Sequence, residues 1–273
     1  KDEISPSNLE RTIRYAIRQK QIQTTLKDTT AVLERQVEHL RQIQTRLLPS
    51  VSHEFRTPLM TIQSSANLLE IDLANEEKRE SRFQLIYDGI DRIVHTLDNS
   101  LVYAALEAGG LPFNASPMAL PSFCQGLVAD LQAFADDQQQ IQFMRQGNSP
   151  SQVSLDPNLV QLILTHLLLN AIRYAPKSGI ISLILTYQAA MSGAIVTFHI
   201  QDRGIGIPSI EQDKIFDAYY RASNANSIPG TPGIGLGLAI VKSAASLHGG
   251  TVALTSEVGV GTSFTVSLPV RER

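Results

Sequence analysis

Apolar residues in the first third of the chain recur at alternating short steps. From Ile22 they run through Leu26, Leu33, Val37, Leu40 and Leu47, with Thr29 or Thr30 and Gln44 filling the gaps. The same seam continues through Val51, Phe55, Ile62 and Leu69, while Glu, Arg and Gln occupy the other faces. A spacing of three and four residues on one stripe predicts a coiled-coil helix. After a polar break at Ala74 to Arg79, a second helix repeats the pattern at Phe83, Ile86, Ile90, Ile93, Leu97 and Leu101. Two amphipathic helices joined by a short loop cannot enclose a core. Two copies can, as an antiparallel four-helix bundle, so the pattern predicts a homodimer.

Ala108-Gly109-Gly110-Leu111-Pro112 ends the second helix with the punctuation of a domain boundary. Beyond it the periodicity changes. Strands are expected at Ile180 to Tyr187, Ala194 to Gln201, Thr251 to Ser256 and Ser263 to Leu268. Helices are expected near Pro121 to Ala135, Pro157 to Tyr174 and Gly237 to Leu247. One mixed sheet carrying helices, an α/β sandwich, accommodates that mixture. The fold class is therefore α+β: a helical-hairpin dimerisation domain followed by an α/β sandwich.

Composition narrows the functions. With 43% hydrophobic and 18% charged residues, the chain is a soluble globular protein. A net charge of −3 gives no reason to expect nucleic acid or a membrane surface as partner. Cys124 is the only cysteine, which excludes a disulfide framework and a cysteine-based zinc site. No apolar run approaches the ~18 residues of a membrane span. The first residue is Lys, so a longer protein is expected, with this part cytoplasmic.

Residues 52 to 59 read Ser-His-Glu-Phe-Arg-Thr-Pro-Leu. His53 stands off the seam, beside the carboxylate of Glu54, and Thr57 lies one turn further on the same face. Pro58 removes a backbone donor and is expected to bend the helix. Four later segments carry further chemistry. Asn170 interrupts an apolar helical face, with Arg173 and Tyr174 just beyond it. Asp202-Arg203-Gly204-Ile205-Gly206 follows a strand directly. Ile215 to Arg221 is apolar and aromatic, a helix that could hinge a lid. Gly233-Ile234-Gly235-Leu236-Gly237 opens a helix whose N–H groups could hold phosphate. The stretch Ala222 to Pro232 between the last two has the composition of a lid.

The octapeptide followed by these four segments resembles the sensor histidine kinases of two-component signalling, with the ATP-binding fold shared by the gyrase, Hsp90 and MutL ATPases. The resemblance covers about Ala31 to Pro269. It implies ATP and Mg²⁺ as cofactors and a response-regulator receiver domain as partner. His53 would take the phosphoryl group, Glu54 would accept its proton, and Thr57 would position water for hydrolysis of the phosphorylated partner. Asn170 would hold Mg²⁺, Arg173 would contact phosphate, and Tyr174 would line the pocket. Asp202 would accept from the adenine amine, supported by Gly204 and Gly206. Gly233, Gly235, Leu236 and Gly237 would shape the phosphate loop. The chain departs from the family where His166 replaces an Asn, Tyr219 a Phe and Ile234 a Thr.

The resemblance divides the chain into three. Residues 1–30 are a signalling helix or the tail of a receiver domain, 31–108 the coiled coil and phosphotransfer domain, and 112–273 the catalytic domain. Two other readings stay open at this level: a GHKL-type ATPase clamp, and a dimeric scaffold that binds a receiver without turning over ATP.

Overall fold

The structure, a computed structural model, describes residues 19–20, 23, 27, 30, 52, 54–69, 71, 75–147, 152–176, 179–190, 193–227 and 233–270. The apolar seam positions from Ile22 to Val51 lie outside these residues, as do His53, the end of the expected lid, and all of residues 1–30 but Gln19, Lys20, Gln23, Lys27 and Thr30.

Helix α1 covers residues 54–69 and runs unbroken through Pro58. Helix α2 (Glu76–Glu107) begins at Asn75, whose side chain accepts from the Lys78 amide at 3.1 Å and satisfies one of the orphan donors of the first turn. The two helices meet where α2 carries no side chain. A Cβ on Gly89 would press on Ile62 of α1 and approach the Pro58 carbonyl. Gly89 and Thr96 are buried and Ile86 and Ile93 half-buried, forming the inner stripe of α2. The predicted seam therefore splits: Phe83, Ile90, Leu97 and Leu101 are exposed, and with Tyr87 and Val94 they form a second stripe. Gly109, at φ 63°, ends the helix in the left-handed region.

The second part has two layers. Strands β1 (Ser116–Met118) and β3 (Val153–Leu155) pair antiparallel at one end. The main sheet contains β2 (Gln140–Gln146), β4 (Ile180–Ala190), β5 (Gly193–Asp202), β6 (Thr251–Glu257) and β7 (Gly261–Val270), in the order β2-β4-β5-β7-β6. Only the β2–β4 pair is parallel; the others are antiparallel. Helices α3 (Leu120–Gln132), α4 (Pro157–Tyr174) and α5 (Gly237–Leu247) cover one face. Alternation along the strands buries Ile181, Leu183, Leu185, Val196, Phe198 and Ile200 against them.

Helix α4 starts where local chemistry demands. The Asp156 carboxylate accepts from the Asn158 and Leu159 amides, and Pro157 occupies a position with no donor to lose. The expected aromatic helix at Ile215 to Arg221 is not present; the segment is a run of turns. Tyr219 sits at φ 63°, which no helix tolerates, and its amide donates to the Gly235 carbonyl at 3.0 Å. No described helix is long and apolar enough to cross a membrane.

Candidate functional site

A cavity of about 1110 Å³ opens where the hairpin meets the sandwich. Glu54, Thr57 and His95 line it from the helices; Asn170, Arg173, Tyr174, Asp202 and the Gly206 loop line it from the sandwich. Gly233, Gly235, Leu236 and Gly237 close it from the α5 side. Elements more than a hundred residues apart in the chain thus contribute most of the expected residues to one space; Gly204 is not in its lining, and His53 lies outside the described residues.

The floor is set by Asp202, at the end of β5 and 8% exposed. Its Oδ1 accepts from the Gly204 amide at 2.7 Å. Burial lifts its carboxyl above the ordinary carboxylate range, and backbone hydrogen bonds from Gly204 and Thr262 pull it partly back. Two positions of this loop require glycine. A Cβ on Gly204 would strike the Tyr174 carbonyl at the end of α4, and one on Gly206, at φ 67°, would strike the Glu257 carbonyl. The loop is thereby held against α4, and the Ile205 amide donates to the Tyr174 carbonyl at 3.2 Å.

Asn170 and Arg173 are half-buried on α4 and look into the same cavity. One turn earlier, His166 packs its ring against Gly237, 3.2 Å from where a Cβ would stand. Burial, with His95 and then Arg173 adding repulsion, lowers the His166 pKa to about 4, so the imidazole is neutral. His95, across the cavity on α2, is also lowered, by burial first and then by Arg173, with Asp98 opposing.

The glycine loop touches both hairpin helices. The Gly233 amide donates to the Glu54 carboxylate at 3.0 Å. Ile234 and Leu236 are 4% and 2% exposed, packed in an apolar cluster with Tyr103 and Leu106 of α2. Tyr103 meets Tyr219 edge to face, with ring centroids 6.3 Å apart. Ile234 therefore belongs to a contact with α2, and the hydroxyl that a Thr would bring there is replaced by buried apolar surface.

Sequence reasoning missed His95, which it assigned no role, and Asn224, taken as part of the lid. The Asn224 amide group donates to the Gly206 carbonyl at 2.8 Å and lines the same cavity. No signal in the sequence marked either one, because both act through elements distant in the chain.

The arrangement is a two-part core, a helical hairpin presenting a carboxylate to the glycine loop of an α/β sandwich. Residues 43–109 match the His Kinase A (phospho-acceptor) domain, and residues 155–272 match the histidine kinase-, DNA gyrase B- and HSP90-like ATPase. The chain belongs to the sensor histidine kinases. It is 28% identical over 239 residues to the sensor histidine kinase WalK of Bacillus subtilis, covering 86% of this chain and 38% of that protein. The crystal structure of full-length ShkA in complex with AMPPNP is 27% identical, with a TM-score of 0.60, covering 83% of this chain and 46% of ShkA. Histidine kinase ThkA in complex with response regulator TrrA shares the fold at 18% identity and a TM-score of 0.60, covering 87% of this chain and 65% of ThkA. The chain thus spans less than half the length of WalK and of ShkA.

Proposed function

We propose that this chain catalyses ATP-dependent phosphorylation of its own His53 and passes the phosphoryl group to an aspartate of a response-regulator receiver domain, which it also dephosphorylates. The observation that carries this reading is the Glu54–Gly233 hydrogen bond, which brings the residue next to His53 onto the loop that would cradle the phosphates.

In this reading Glu54 fixes the His53 tautomer and takes its proton as the ring attacks. Asp202 accepts from the adenine amine, with Gly204 and Gly206 keeping the backbone out of the way. Tyr174 lines the base side, Arg173 neutralises phosphate charge, and Gly233, Gly235, Leu236 and Gly237 shape the loop around it. Thr57, exposed and four residues after His53 in the sequence, orients water during hydrolysis of the phosphorylated partner. The described residues hold no group of three or more His, Cys, Asp or Glu that could cage a metal. Mg²⁺ keeps its waters and takes phosphate oxygens, and the Asn170 amide oxygen would be its protein ligand. Bound there, the ion would offset charge on the transferring phosphoryl group. The exposed heptad stripe on α2 supports a homodimer.

Incubation with γ-labelled ATP and Mg²⁺ tests the reading, wild type beside His53→Ala. Acid-labile, alkali-stable label is expected on wild type alone. Equal labelling of both proteins, or of neither, would sink it.

A further inference from the structure

Among the described residues, Asn224 Oδ1 is the one buried side-chain polar atom without a hydrogen-bond partner. Buried acceptors are seldom left so, because the lost hydration of the carbonyl is not repaid. The orientation of the amide is fixed. Its nitrogen donates to the Gly206 carbonyl at 2.8 Å, a bond that the oxygen could not make, so the oxygen must be the unpaired end.

The turn that carries Asn224 is equally fixed. Glu211 accepts from the Ser223 amide at 3.1 Å, the Ser223 hydroxyl at 3.0 Å and the Tyr220 hydroxyl at 3.1 Å. Ala222 and Ala225 on either side are 8% and 7% exposed, and the Ala225 amide donates back to the Ala222 carbonyl at 3.1 Å. A side chain held at both its backbone and its nitrogen, with a buried, unspent oxygen on a residue that lines a cavity, is prepared for a ligand.

The chemistry of that ligand follows from the polarity of the atom. A carbonyl oxygen needs a donor. The phosphates of a nucleotide offer none at neutral pH, so the oxygen is directed to the nucleoside. Adenosine carries donors at its exocyclic amine and its ribose hydroxyls. Asn224 is braced on Gly206, in the loop whose Asp202 also lines the cavity. We infer that Asn224 is a nucleoside-recognition residue, whose amide oxygen accepts a hydrogen bond from the amine or a ribose hydroxyl of the bound nucleotide. This rests on the nucleotide-binding reading above and adds to it a second acceptor beside Asp202.

The test is a binding titration of ADP, inosine diphosphate and 2′,3′-dideoxy-ADP into wild type and Asn224→Ala, with folding checked by thermal unfolding. Asn224→Ala is expected to weaken ADP about tenfold, in line with an acceptor lost from a buried hydrogen bond. One analogue should escape that loss: the inosine compound if the amine is the donor, the dideoxy compound if a hydroxyl is. Equal weakening of all three nucleotides would overturn the inference and leave Asn224 as a brace for Gly206. If Asn224→Ala does not fold, Asn224→Ser carries the same expectation, since its shorter side chain cannot reach the ligand. A wild type that binds none of the three overturns the nucleotide reading itself, a failure distinct from the first.

Discussion

The two parts of the molecule solve the burial problem differently. In the sandwich, α4 alone buries Leu159, Val160, Ile163, Leu164, Leu167 and Leu168, and the facing strands close the other side. The hairpin buries little of its own: on α2 only Gly89, Thr96, Tyr103 and Leu106 are buried, while Tyr87 and Leu101 are each 60% exposed. Moreover, two of those four, Tyr103 and Leu106, are buried against the sandwich rather than within the hairpin. A complete core makes the sandwich an independent folding unit, whereas the hairpin gains its stability from whatever covers its second stripe.

That contrast can be broken most sharply from the sandwich side. Phe198 is fully buried at the centre of the sheet. Phe198→Ala is expected to cost about 3–5 kcal/mol, read as a lower denaturant midpoint of the sandwich transition with the helical signal of the hairpin less affected.

Next in size is the boundary between the parts. The His166 pKa is lowered from 6.5 to about 4 in the folded state, so the unfolded chain binds the extra proton first. Stability should therefore be intact above pH 6.5 and fall as the pH drops toward 4, by up to about 3 kcal/mol. Thermal unfolding across that window checks it, and His166→Asn should flatten the slope. An equally steep slope in that variant would assign the effect elsewhere.

The smallest effect on the fold of one chain, yet the most telling for the hairpin, is Leu97→Asp. Leu97 is 49% exposed, so the sandwich should melt unchanged. Association should weaken by about 2 kcal/mol for each copy of the side chain, read by sedimentation as a shift from dimer toward monomer.

Much of this was legible in advance where local signals were strong. Helix α4 falls at Pro157–Tyr174 and α5 at Gly237–Leu247, as expected, because Asp156-Pro157 and the glycine run mark their starts in the sequence itself. The four expected strands were found, starting at Ile180 and Thr251 as expected, with their other ends one to three residues further out. Strand β2 was missed because Gln140, Gln142 and Gln146 give an edge strand the composition of a loop. β1 and β3 are three residues each, too short for any periodicity. The aromatic segment misled in the other direction: its apolar spacing fits a helix, but a hydrogen bond to Gly235 holds Tyr219 in a conformation set by the tertiary structure. Asp202, Asn170 and the glycines could be singled out because each interrupts its surroundings. His95, Asn224 and the Glu54–Gly233 bond could not, since only the folded chain brings them together.

With phosphate bound at the glycine loop as proposed, the hydrogen bond between Glu54 and Gly233 would make two anions rivals for one amide. While the hairpin's carboxylate holds that N–H, a phosphate must evict it to enter, and while a phosphate holds it, the carboxylate is turned loose beside its neighbour on the helix. By linkage each lowers the affinity of the other by the same factor. Under the proposed function this would impose an order of events, in which a filled loop releases Glu54 to act as the base.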